Sequence, residues 1–197
     1  MTKFESPTHT QNYDFLLRLY FGAGEPLKVV IKRAYLDLSR TVHRLGKNPD
    51  RLEIMAECEN LLLNEILNIR ELSFDQASFD DWHESLCKQL ISVFSKHGFK
   101  HFHIGQAQKW INMTLKYIYL YPVLAMSYQN IYNYCHIPID NIILRVLSER
   151  NLPSFLGPYE AWSRLDDYQK YLKYQLLVRG AFQGSAPLAI EFHLWQS

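Results

Sequence analysis

Apolar residues that recur every three or four positions, in one segment after another, constrain this chain more than any single motif. Leu27, Val30, Ile31, Ala34, Leu38, Val42 and Leu45 form one such stripe behind Pro26, the spacing that lines one face of an α-helix. Leu52, Met55, Ala56, Leu62, Leu63, Ile66 and Ile69 repeat it after Asp50, a good N-cap. Trp82, Leu86, Leu90, Ile91 and Phe94 do so again behind Ser78 or Asp80 as the cap, with Gly98 placed to end that helix. Breaks fall where helix-stopping chemistry sits: Gly22-Ala23-Gly24, Gly46-Lys47-Asn48-Pro49, Pro153 with Gly157-Pro158, and Gly184-Ser185-Ala186-Pro187.

Further helices are expected from about Gly105 to Tyr121, across the Tyr-rich stretch 123–134, and from Pro138 through the segment IDNIILRVLSER. One more runs from Ser163 as cap to Phe182, and a short terminal helix docks through Leu188, Phe192 and Trp195. A first short helix covers Asn12 to Phe21, and no stretch alternates as a strand would. The reading is an all-α fold, a single globular domain over residues 1–197 with about eight helices.

Hydrophobic residues make up 48% of the chain and charged ones 21%, which supports a full core rather than disorder. The net charge of +1 argues against a protein that coats nucleic acid non-specifically, though not against one local basic face. Three widely spaced cysteines without a CxxC point to buried thiols in a reducing compartment. The N-terminal run MTKFESPTHTQNYDF lacks a secretory pattern, and no apolar run approaches the roughly 20 residues that span a bilayer. The expected location is cytoplasmic, with no membrane partner. P-loop, GxGxxG, GxSxG and HExxH motifs are absent, which removes the nucleotide-dependent, serine-hydrolase and zincin classes from first consideration.

Polar residues concentrate at helix starts between Gly98 and Arg145. Gly105-Gln106-Ala107-Gln108-Lys109 opens one helix: the glycine permits close approach to another backbone, the exposed amides of a first turn attract anions, and Lys109 is an amine that desolvation can activate. His136-Ile137-Pro138-Ile139-Asp140-Asn141 opens another, with Asp140 in the favourable first-turn position, where a carboxylate can also serve as a general base. An ordinary solvated first turn and an ordinary cap account for the same residues. His97, His101 and His103 have a spacing open to metal ligation, but their place at a helix end is met by capping, so no metal site is assigned.

The order of these elements resembles the helix-hairpin-helix DNA glycosylase superfamily. The residues that carry it are Gly105 to Lys109, then Pro138-Ile139-Asp140-Asn141 with Arg145. The resemblance implies removal of a damaged base from double-stranded DNA, with Lys109 as nucleophile and Asp140 as its acid–base partner. It implies DNA contacts at Gly105, Gln106, Gln108, Lys100 and Arg145, and no cofactor. An extruded base needs an aromatic pocket, for which Trp110, Tyr117 and Trp162, with Trp82, are the candidates. The alternative is a non-enzymatic helical module that binds a protein or nucleic acid through its Tyr- and Trp-rich surface, including Tyr128, Tyr132 and Tyr134.

Overall fold

The computed structural model describes residues 6–157 and 160–196, so Pro158 of the expected loop and the first five residues of the N-terminal run lie outside the described residues. Those described form nine α-helices and no strand: α1 (His9–Phe21), α2 (Pro26–Leu38), α3 (Arg51–Ile69), α4 (Gln76–Lys96), α5 (Ile104–Ile118), α6 (Pro122–Ser127), α7 (Asn141–Glu149), α8 (Tyr168–Ala181) and α9 (Pro187–Trp195). Short 3-10 turns occupy Ser39–Thr41, Leu45–Lys47, Gln129–Ile131 and Trp162–Arg164. The all-α reading stands, with one helix more than the approximate count.

Helix α5 organises the molecule. All of its residues except Lys116 are buried, and it packs against α2, α4 and the turn at Trp162. Trp110 is wholly buried at its centre, donating its indole N–H to the Ile31 carbonyl at 3.0 Å and packing on Tyr35. A tryptophan in that position is a core anchor, because its large apolar area is removed from water while its one donor is satisfied.

Several boundaries differ from the sequence expectation for identifiable reasons. Helix α2 stops at Leu38, where Ser39 and Thr41 donate their hydroxyls back to the Leu36 and Leu38 carbonyls. Such local bonds compete with the helical ladder. Val42 and Leu45 remain buried even so. The N-cap of α4 is Asp75, in a reciprocal box with Ser78, while Asp80 turns inward to His136. Asp167, not Ser163, caps α8, and the Tyr-rich segment yields only the six-residue α6 and a turn. Leu52 is exposed on α3, where Ile54 and Cys58 face inward instead. At the C-terminus Phe192 and Trp195 are exposed, and α9 docks through Leu188, Ile190, Glu191 and Leu194.

The three cysteines are buried and unpaired. Among the described residues no helix is long and apolar enough to cross a membrane.

Candidate active site

Lys109 and Asp140 meet. Their Nζ and Oδ2 atoms are 2.6 Å apart, with the lysine side chain almost wholly buried. The contact is prepared one residue earlier on each partner. Gln108 donates its amide to the Ile139 carbonyl at 2.9 Å and accepts the Ile139 N–H at 3.2 Å. Gln175 of α8 clamps Ile137 in the same two-way manner, at 3.0 and 2.8 Å. The extended segment before α7 is therefore fixed by two buried glutamines, and the residue after each clamped position on α5 and on that segment falls side by side. Asp140 then does two jobs: Oδ1 accepts the Ile143 N–H at 2.9 Å as the cap of α7, and Oδ2 holds Lys109. A helix cap of this kind contributes about 1 kcal/mol.

The pair lies in the wall of a cleft of about 830 Å³ between α1, α2, α5, α7 and α9. That volume falls within the roughly 300–1,000 Å³ of small-molecule sites. Four cations line it, Arg33, Arg40, Lys109 and Lys116, against three carboxylates, Asp37, Asp140 and Glu191. Three pairs form within the wall: Lys109 with Asp140, Lys116 with the buried Glu191 at 2.7 Å, and Arg33 with Asp37 at 3.1 Å. Among the described residues Arg40 has no such partner, so the wall carries one uncompensated positive charge at an exposed position. Tyr20, Tyr117, Trp162 and Trp195 supply aromatic surface. Tyr117 donates to Asp37 at 2.5 Å, and burial together with that bond pushes its phenol well above its ordinary value. It is a fixed hydrogen-bond donor here.

The other candidates are placed as follows. Gly105 lies in the first turn of α5, not in a hairpin, and backs directly onto the Trp162 carbonyl. Gln106 is buried; its amide accepts from the His103 N–H and donates to the Thr41 carbonyl, so it ties α5 to the end of α2. Gln108 is the clamp just described. The hydrogen bonds of all three run within the chain. Lys100 and Arg145 are exposed and outside the cleft, Arg145 standing 4.0 Å from Glu149. Tyr117 and Trp162 line the cleft. Trp110 and Trp82 do not: Trp110 belongs to the core, and Trp82 donates to Glu65 at 3.2 Å. Tyr128 is buried, and Tyr132 and Tyr134 are half-buried, so the Tyr-rich segment contributes mainly to packing.

The three spaced histidines diverge. His97 sits 3.2 Å from Glu57, His103 sits 2.6 Å from Asp166, and His101 is exposed in the turn between them. Glu53, Glu57 and His97 bring three ligand atoms within 4.8 Å of one another, with the Lys96 ammonium already 2.8 Å from Glu57.

Beneath the cleft runs a buried polar network that single residues did not announce. His83 contacts Tyr168 at 2.9 Å and Asn112 at 3.1 Å. His136 contacts Tyr171 at 3.0 Å and Asp80 at 2.8 Å. Asn112 donates to Tyr171 and to Gln108, joining this network to the clamp behind Lys109. Arg33, Asp37, Arg40, Lys116, Glu191 and Gln175 were also missed as wall or support residues. Of these only Glu191 carried a sequence signal, as the single carboxylate in the mostly apolar stretch Leu188–Trp195.

Comparison of the chain with protein-family models, curated proteins and solved structures gave no match.

Proposed function

We propose that the cleft is the active site of a DNA glycosylase with lyase chemistry, related in its order of elements to the helix-hairpin-helix glycosylases. The observation that carries the reading is the 2.6 Å contact between Lys109 and Asp140 in the wall of a cleft of nucleotide-compatible size. An amine attacks only after losing a proton, and the only carboxylate within hydrogen-bond reach of Lys109 among the described residues is Asp140.

In the proposed cycle Lys109 passes a proton to Asp140 and attacks C1′ of the target deoxynucleotide. The N-glycosidic bond breaks with its electron pair on the departing base, which takes the proton from Asp140. The new secondary ammonium returns a proton to Asp140, which delivers it to O4′ as the sugar ring opens. The product is an iminium joining Nζ to C1′. Tyr117 and Trp162 line the same cleft as Lys109 and Asp140, and aromatic surface of this kind can hold a base taken out of its stack. The exposed Arg40 in the cleft wall, without an ion-pair partner among the described residues, favours an anionic substrate.

Borohydride reduces such an iminium to a stable covalent adduct. Incubation with a panel of damaged duplexes and borohydride is expected to give a protein–DNA adduct on at least one lesion, lost in Lys109→Gln and strongly reduced in Asp140→Asn. No adduct on any lesion, or an adduct that persists in Lys109→Gln, overturns the mechanism.

A further inference from the structure

A second cleft, of about 730 Å³, adjoins the first, and Thr41 lines both. Its wall holds Arg44, Arg164, His43, His101 and His103, and no carboxylate. Arg164 also lines a neighbouring concavity with Glu160, Asp166 and Asp167, of which Glu160 is held by Lys170 and Asp166 by His103, each at 2.6 Å. Among the described residues neither the Arg44 nor the Arg164 guanidinium has an ion-pair or hydrogen-bond partner, in contrast to the ion-paired cations of the first cleft. Two fully charged, unpaired guanidinia facing one concavity repel each other, an arrangement that an anion relieves.

The backbone adds a second observation. Arg44 is held at φ +71°, the left-handed region that non-glycine residues seldom occupy, between the two 3-10 turns that follow α2. The chain thus keeps an arginine where glycine fits more easily, and its side chain lines the cleft. Strained positions of this sort concentrate at ligand sites. Arg164 lies on the turn Trp162–Arg164, whose Trp162 carbonyl rests against Gly105. Both arginines are therefore mounted on turns anchored to the core.

We propose that this second cleft binds a phosphomonoester dianion, gripped by Arg44 and Arg164 with imidazole N–H donors from His43 and His101. The charge selects the ligand. A phosphomonoester carries about −1.5 to −2 at pH 7, which two guanidinia neutralise, whereas a phosphodiester carries a single charge. Planar guanidinium forks match phosphate oxygens in paired hydrogen bonds. The proposal stands without the enzymatic reading of Lys109. The phosphate belongs either to a small molecule, inorganic phosphate or a nucleoside monophosphate, or to the 5′ end of a nucleic acid strand.

Binding is measured at fixed low salt with inorganic phosphate, a nucleoside 5′-monophosphate, and labelled duplexes identical except for a 5′-phosphate or a 5′-hydroxyl. The expected result is about tenfold or greater preference for the phosphorylated duplex. The preference should vanish in the double variant Arg44→Gln, Arg164→Gln and survive in the charge control Lys173→Gln on the exposed face of α8. Binding of phosphate or the monophosphate, lost in the same double variant, with no preference between duplex ends, supports the site and assigns it to a small molecule. Should the double variant fail the circular-dichroism check on its fold, Arg164→Lys, which keeps the charge and loses the fork, is expected to weaken binding with an unchanged fold. No binding of any phosphomonoester by the native chain, or undiminished binding in a folded Arg44 and Arg164 variant, overturns the proposal.

Discussion

At the scale of single residues, the informative positions are those that serve two neighbours at once. Asp140 caps α7 and holds Lys109 through different oxygens, and Gln108 bonds both polar atoms of the Ile139 backbone. Gly105 shows what a sequence can and cannot say about such a residue. A glycine in a first helical turn announces that something comes close, but not what. Here the neighbour is the Trp162 carbonyl, and a Cβ on residue 105 would stand 1.8 Å from its oxygen. No flexible side chain can absorb that overlap, since the obstructing atom is backbone. Gly105→Ala is therefore expected to destabilise the protein by about 3 kcal/mol, read as a lowered midpoint in urea unfolding. An unchanged midpoint would show that α5 and the Trp162 turn are not in contact as described.

At the scale of elements, α4, α5, α8 and the extended segment before α7 converge on a seam of buried polar groups that ordinary helix patterning does not reveal. His83 and His136 lie there with ring centroids 4.5 Å apart, both fully buried. Burial pushes the His83 imidazole well below its ordinary value, and the neighbouring His136 pushes the same way, against the opposing effect of the hydrogen bond that His83 donates to the Asn112 Oδ1. His136 is lowered by burial and by Arg179, with Asp80 pulling the other way. Tyr168, Tyr171 and Cys87 face the same seam, their own ionisations raised by burial, so they are neutral in this range. The unfolded chain binds protons at these histidines near pH 6.5, and the native chain does not until lower pH. Their contribution to stability is thus complete above about pH 6.5 and falls as the pH drops below it, by up to about 1.4 kcal/mol per pH unit for each histidine. Urea unfolding at pH steps from 7.5 to 5 should trace that slope before the carboxylates titrate. A flat profile over the interval would mean that neither imidazole is held below its ordinary value in the native state. The sequence marked Asp50 as the start of α3, where its side chain makes no capping bond, and expected α7 from Pro138, where it begins at Asn141 with Asp140 as its cap. It misplaced the end of α2 and the starts of α4 and α8. Those three boundaries depend on which nearby hydroxyl or carboxylate wins a backbone group.

At the scale of the whole molecule, stability is distributed from the centre outward. Helix α5 is enclosed on nearly every side, whereas α1 buries only Leu17 and Phe21 and exposes Phe15, Leu16 and Leu19. Local opening follows burial, so amide hydrogen exchange is expected to be slowest along α5 and fastest, among the longer helices, along α1. Comparable protection in the two would contradict the burial order. The sequence by itself determined the helical class, the buried stripes and the residues able to do acid–base chemistry, because three-four periodicity, capping and side-chain type are local properties. It also put Lys109 and Asp140 at helix starts. Only the tertiary structure decided that those two starts touch, that Glu191 and Asp37 balance the neighbouring cations, and that Arg44 and Arg164 share a second concavity. Charge pairing across helices depends on which faces the core brings together, and that is fixed by the packing of all the apolar stripes at once.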